Sequence, residues 1–230
     1  MKRFWKDVTV AQREKAWSIE LDGRPVRTPA KALLLLPTQR IAEAVADEWR
    51  GVGEKLDPRA MPLTGLANAA IDRVGADGEE FARGLAAYGE TDLLCYRADG
   101  PPALVARQAE HWDRLLAWAR RRFDLDFVVT SGITHVPQPA ATTARLSHAV
   151  AALDAFHLAG LSPLVTIGGS LVAGLAVLEG GAGIEEAWEA VSLDDRWQLE
   201  QWGEDQEARE RLESRQREFV AASRFLQLLD

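Results

Sequence analysis

The 230-residue chain is expected to fold as an α+β protein, with a small N-terminal α/β domain built on antiparallel strands and a C-terminal α-helical domain. Three observations predict this. Apolar and polar residues alternate near the N-terminus and lead into an Asp-Gly turn. From Thr38 onward the apolar spacing changes to the three-and-four period of amphipathic helices. The densest breaker cluster, Asp99-Gly100-Pro101-Pro102, is followed by a long helical stripe. The domains are placed at residues 1–75 and 76–230.

The elements follow in order. Trp17, Ile19 and Leu21 alternate with Ser18 and Glu20, and Asp22-Gly23 is a hairpin turn. Val26 continues the return strand, with Pro25 marking an edge, and Lys31 to Leu36 is a further apolar strand ended by Pro37. Thr38 reads as an N-cap for a helix whose apolar face is Ile41, Ala42, Val45, Ala46 and Trp49, and Gly51-Val52-Gly53 closes it. Shorter helices follow Pro62, using Leu63, Leu66, Ala70 and Val74, and run from about Asp77 to Tyr88. Leu104, Gln108, Trp112, Leu115, Ala119 and Phe123 form one long stripe, interrupted by a single amide. Phe127 to Val129 and Ile133 to Val136 read as short extended pieces. Helices are then expected from Thr143 to His157, Pro163 to Leu178, Ile184 to Val191, and through much of Leu193 to Leu229. Arg215 breaks the apolar seam of Ala208, Ala222 and Leu229 in that last segment.

Composition narrows the function. A net charge of −8 argues against nucleic acid, because phosphate binding needs a basic surface. Cys95 is the one cysteine, so no intrachain disulfide can form, and its apolar run Leu93 to Tyr96 reads as core. The first ten residues lack the apolar stretch of a secretory signal, and Asp7 and Glu14 sit poorly with a mitochondrial leader. The longest uncharged run, Leu161 to Leu178, is diluted by Pro163 and several glycines, so a buried helix is expected there and not a membrane span.

Catalytic groupings are not evident. His111, His135, His148 and His157 are scattered, without the spacing of a helical zinc site. Gly168-Gly169-Ser170 lacks the lysine of a phosphate loop, and close helix packing accounts better for its glycines. Asp194-Asp195 invites comparison with magnesium–diphosphate sites, but the residue one turn on is Gln198. No cofactor and no metal are expected. The alternatives that stay open are a helical magnesium enzyme using Asp194, Asp195 and Glu204 on a diphosphate substrate, and an unrelated scaffold or adaptor.

The most informative stretch runs from Asp194 to Arg209, where Trp197 and Trp202 stand among carboxylates. On one helix the two rings lie roughly 140° apart, too far for a single apolar stripe. Either the helix is covered on two sides, or it bends near Gly203, or one ring is offered to a partner. Trp197, sharing a face with Leu193, Gln201 and Ala208, is assigned mainly to core. Asp195, Gln198, Trp202, Glu204, Asp205 and Glu207 are the candidate partner-binding residues, polar groups around an aromatic anchor. The other reading of the same residues is a solvated charged face.

The linear pattern resembles the chaperone family that assembles the catalytic head of ATP synthase by holding its alpha subunit. The residues that carry the resemblance span nearly the whole chain. They are Arg3-Phe4-Trp5-Lys6, the run from Leu21 to Lys31, Leu36-Pro37-Thr38 with Glu48-Trp49, Met61 to Asp72, and Tyr88 with Thr91 to Ala98. Gln108 with Trp112, Gly132-Ile133, Ser170-Leu171 with Gly174-Leu175-Ala176, and Trp197 to Ala208 complete the series. The chain departs from that pattern at Asp194-Asp195-Arg196, where glutamates are usual. The resemblance implies a non-enzymatic assembly factor without cofactor, a small α/β domain followed by helices, and the alpha subunit as partner. It also implies a location in the bacterial cytoplasm, or in the mitochondrial matrix of a eukaryote. The free protein is expected to be a monomer, not inserted in a membrane.

Overall fold

A computed structural model describes residues 2–203 and 205–230, with the backbone alone for Trp202. The fold class is the one predicted: antiparallel strands come first and helices dominate thereafter. The chain forms two compact units, and each draws on non-contiguous segments where the expected boundary was a single cut after residue 75. One consists of Met1–Gly78, Asp154–Gly160 and Arg224–Asp230, the other of Glu79–Leu153 and Leu161–Ser223.

In the first unit, β1 (Val8–Arg13) and β2 (Ala16–Leu21) pair antiparallel, with Val10 opposite Ile19. Asp22 and Gly23 adopt positive φ angles of 49° and 76°, the two-residue turn whose twist suits a hairpin. It leads to β3 (Arg24–Pro25), where proline, lacking an N–H, stands at the sheet edge. The strand expected over Lys31 to Leu36 shrinks to β4 (Leu35–Leu36), which pairs with the other end of β2. Helix α1 (Gln39–Arg50) packs Ile41, Val45 and Trp49 inward. Thr38 caps it by accepting the Ile41 N–H at 3.3 Å, and donates its own hydroxyl to the Leu228 carbonyl at 2.6 Å.

Helix α2 (Pro62–Ala69) continues into a wider turn over Ala70–Val74 and has no cap of its own. Glu48 supplies one from α1. Its carboxylate accepts the N–H groups of Leu63 and Thr64, both at 2.8 Å, and the Thr64 hydroxyl at 2.7 Å. Next to Glu48, the buried Trp49 ring meets Trp5 edge-on with centroids 5.2 Å apart.

In the second unit, α3 (Gly78–Ala86, from Glu79 on) precedes two short strands, β5 (Tyr96–Arg97) and β6 (Thr130–Ser131), which pair in parallel. Pairing falls between the two extended pieces read from sequence, because the loop closes at Gly132, whose N–H bonds the Arg97 carbonyl at 2.8 Å. Helix α4 (Pro102–Phe123) buries Leu104, Gln108, Trp112, Leu115 and Ala119, as its stripe predicts.

Two expected helices are each split. Instead of one helix over Thr143 to His157, α5 (Ala140–Ala151) ends and α6 (Ala155–Gly168) begins afresh. Asp154 causes the break by accepting the N–H groups of Phe156 and His157, each at 2.9 Å. The apolar run Leu161 to Leu178 is divided by Gly169, at φ 66°, and Ser170, whose hydroxyl caps α7 (Leu171–Leu178) through the Ala173 N–H. Among the described residues, no helix is long and apolar enough to cross a membrane. The glycines do serve packing: a Cβ at Gly168 would lie 3.2 Å from a Val191 methyl. Helices α8 (Ile184–Val191), α9 (Leu193–Trp202) and α10 (Gln206–Gln227) complete the chain.

Helix α7 is buried from Leu171 to Ala176, packed on α4 and α8. Asp92 anchors it. This fully buried carboxylate accepts the N–H of Leu94 at 3.1 Å and of Val172 at 2.9 Å, with further bonds from Leu171 N–H and the Ser170 hydroxyl. Burial pushes the Asp92 carboxyl up to about 6, against the donors that favour its charged form. Cys95 is buried nearby as the sequence implied, and burial pushes its thiol up to about 12.

Two outcomes are expected. Trp49→Ala should lower unfolding free energy by about 3–5 kcal/mol, since it empties a large buried volume; urea unfolding checks this. Asp92 binds its proton more tightly folded than unfolded. Its contribution to stability is therefore complete below the unfolded value and is lost as pH rises through the folded one. The difference in unfolding free energy between the native protein and Asp92→Asn should fall by about 2 kcal/mol from pH 4 to pH 6. A difference that grows with pH over that window would contradict the assignment.

Candidate functional site

The acidic segment forms α9 and the start of α10, joined at Gly203, whose φ of 86° ends the first helix. One side of α9 is fixed to α4 by polar groups. Gln108, buried and the only amide in the α4 stripe, accepts the Ala98 N–H at 2.8 Å and donates to Asp194 at 2.8 Å. The Arg107 guanidinium lies 4.9 Å from the Trp197 ring centroid and pairs with Glu200 at 2.6 Å. Trp112 adds a bond from its indole N–H to the Ala190 carbonyl at 2.8 Å, which holds the end of α8 where α9 begins. Trp197 is therefore not core as expected: it is half-buried, covered on one face by a cation.

The opposite side of α9 faces α10 across an open groove of about 570 Å³. Leu199, Ala208 and Leu212 supply its apolar lining. Asp195, Gln198 and Asp205 stand around it, together with Arg211 and Arg215. Arg215 spans the base: it pairs with Asp195 at 2.6 Å and donates to the Ile167 carbonyl at 3.0 Å, near the C-terminus of α6. With both side chains of the pair partly exposed, its net contribution to stability is about 0–1 kcal/mol. Asp205 begins α10 by accepting the N–H of Glu207 at 2.9 Å and of Ala208 at 3.3 Å.

Three of the six candidate residues thus line one groove: Asp195, Gln198 and Asp205. Glu207 is exposed beside it, 3.3 Å from Arg211 one turn along α10. Glu204 and the Trp202 side chain lie outside the described residues. Sequence reading missed Arg211, Arg215, Leu199 and Leu212 as groove residues. Arg215 had left a signal, since a cation in an apolar seam needs a partner, and Asp195 is that partner.

Chemically, the groove is suited to recognition. Among its described lining residues there is no serine, threonine, cysteine or histidine to act as nucleophile or base. Asp194 and Asp195 do not converge: one is held by Gln108 and the other by Arg215. Among the described residues, no three histidine, cysteine or carboxylate side chains come together in a metal-binding group. Mixed apolar and charged walls on a fixed backbone can accept a polypeptide segment by burying its apolar groups and pairing its polar ones.

Residues 2–120 match the family model described as ATP12 chaperone protein. The chain is 25% identical over 222 residues to the mitochondrial protein atp12 of Schizosaccharomyces pombe, covering 91% of this chain and 76% of that one. It superposes on the crystal structure of Atp12 from Paracoccus denitrificans with a TM-score of 0.95 and 43% identity, covering 100% of this chain and 98% of that one. The Atu1473 protein of Agrobacterium tumefaciens gives a TM-score of 0.95 and 39% identity, over 100% of this chain and 86% of that one.

Gln108 joins Ala98, just after β5, to α9, so its loss should loosen α9 selectively. Gln108→Leu is expected to cost about 1–3 kcal/mol, because it leaves the Ala98 N–H and Asp194 unpaired. Hydrogen exchange should speed up over residues 193–200 before the rest of the second unit opens. Uniform acceleration throughout that unit would contradict a local role.

Proposed function

The chain belongs to the ATP12 chaperone family, and we propose on that basis that it serves assembly of ATP synthase by holding the unassembled alpha subunit of the catalytic head. The alpha subunit is the client implied by the motif series from Arg3 to Ala208. A subunit waiting for its neighbours exposes surface that is later covered, and exposed apolar patches of several hundred Å² invite aggregation. A chaperone that covers such a patch must also leave it. That favours an interface of roughly 1,200–2,000 Å² with a few anchors and a polar rim, and not an obligate one. The free protein is a monomer in this reading, working in the bacterial cytoplasm or the mitochondrial matrix.

The observation that carries the reading is the α9–α10 groove. It gathers Asp195, Gln198 and Asp205 around an apolar lining, on helices fixed from behind by Arg107, Gln108 and Arg215. Such preorganisation lowers the ordering cost of binding. Glu204, Trp202 and Glu207 complete the proposed contact surface.

Co-expression with the alpha subunit should raise the soluble fraction of that subunit; equal insolubility with and without this chain contradicts the proposal. The site is best probed away from Asp195 and Asp205, which hold Arg215 and the α10 N-terminus. A Gln198→Lys, Glu207→Lys double variant alters two exposed side chains, so its stability should shift by about 0.5 kcal/mol or less. Its capture of the alpha subunit should weaken by about tenfold. Intact folding with undiminished capture would place the contact elsewhere.

A further inference from the structure

Among the described residues five large apolar side chains are exposed, and three of them sit within one loop: Val128, Val129 and Ile133. Ile133 is 100% exposed. A single exposed apolar residue is ordinary. What sets this one apart is how firmly the loop around it is held.

On its N-terminal side, the buried Gln138 amide takes the place of a neighbouring strand. Its oxygen accepts the Val128 N–H at 3.0 Å and its nitrogen donates to the Val128 carbonyl at 2.9 Å. Thr130 and Ser131 are fixed by pairing with β5. Immediately before the tip, Gly132 turns at φ 79° with its N–H on the Arg97 carbonyl; a Cβ there would lie 3.2 Å from an Asp99 carboxylate oxygen. Just after it, His135 shares a 3.2 Å hydrogen bond with the Tyr96 hydroxyl and lies 3.6 Å from Glu90. Glu90 in turn accepts the Gln138 N–H at 3.2 Å. The backbone is thus pinned on both sides of an isoleucine that itself touches nothing.

We propose that Ile133, flanked by Val128 and Val129, is an apolar anchor that enters a socket on the client subunit, a second contact beyond the α9–α10 groove. The identity of the client rests on the function proposed above. A stiff β-branched side chain on a fixed turn suits a concave apolar pocket on a folded protein, because little ordering cost remains to be met on binding. A membrane is a poor fit. Asp99 and Glu90 stand beside the loop, the net charge of −8 repels anionic lipid, and three short side chains supply too little apolar area for stable insertion.

The test uses the whole chain and purified alpha subunit. Ile133→Asp should melt with the unaltered protein yet bind the subunit about tenfold or more weakly, while Ile133→Leu retains binding. Hydrogen exchange in the unaltered chain gives a measurement independent of any variant: amides 128–133 should be slowed by the bound subunit. Equal capture by Ile133→Asp, or unchanged exchange in the loop, overturns the anchor and leaves the proposed function standing. An unaltered chain that fails to capture the subunit overturns both. Loss of self-association or of binding to phosphatidylserine vesicles in Ile133→Asp, with subunit capture intact, also overturns it.

Discussion

A carboxylate is rarely tolerated inside a protein, because leaving water costs several kcal/mol unless hydrogen-bond donors replace it. Asp92 is fully buried, and beside the Leu94 N–H and the Ser170 hydroxyl its donors are the otherwise unpaired N–H groups of Leu171 and Val172 at the start of α7. Each solves the problem of the other. The helix end gains an acceptor and a negative charge where its dipole favours one, and the carboxylate gains a solvation shell made of backbone. The same device recurs in the first unit, where Glu48 of α1 caps α2 through Leu63 and Thr64. Burial raises the Glu48 carboxyl too, against those same bonds. In both cases the cap comes from a residue distant in sequence, so it fixes tertiary placement as well as a helix start. With α7 held in this way, α4 and α8 have a fixed apolar surface to pack on, and α4 in turn carries Arg107 and Gln108 to α9.

Much of the fold was legible because its signals are local. The Asp22-Gly23 turn, the Thr38 cap and the period of the α4 stripe each act within a few residues of themselves. The breaks at Asp154 and Ser170 were also local, but apolar periodicity ran straight through them. Residues on both sides are buried, so the pattern continues although the backbone does not. The β5–β6 pairing was not legible: two residues from each strand carry too little alternation, and their partners are distant in sequence. For the acidic helix, the bend read near Gly203 was legible, and Gly203 does end the helix between the two segments. That Trp197 would be sheltered by Arg107 and not by core depends on a contact across 90 residues of chain. Of the candidate site, Asp195, Gln198 and Asp205 were legible as polar positions; their gathering around one groove depends on Arg215 reaching back from α10.

The groove and the Ile133 loop share one physical character. In each, backbone and supporting side chains are held by hydrogen bonds, while the surface offered to solvent mixes polar groups with apolar ones. Rigid presentation lets a moderate interface form without a large ordering cost, and a moderate interface can be reversed. An assembly chaperone needs that balance, since it must yield its client to the next subunit.

The direct measurement is therefore one of exchange. Purified alpha subunit is mixed with this chain, and the complex is followed by light scattering during gel filtration before and after the beta subunit is added. The expected result is a complex of one chain with one alpha subunit, from which this chain is released as alpha and beta associate. The absence of any complex, or a complex that persists unchanged in the presence of beta, would contradict it.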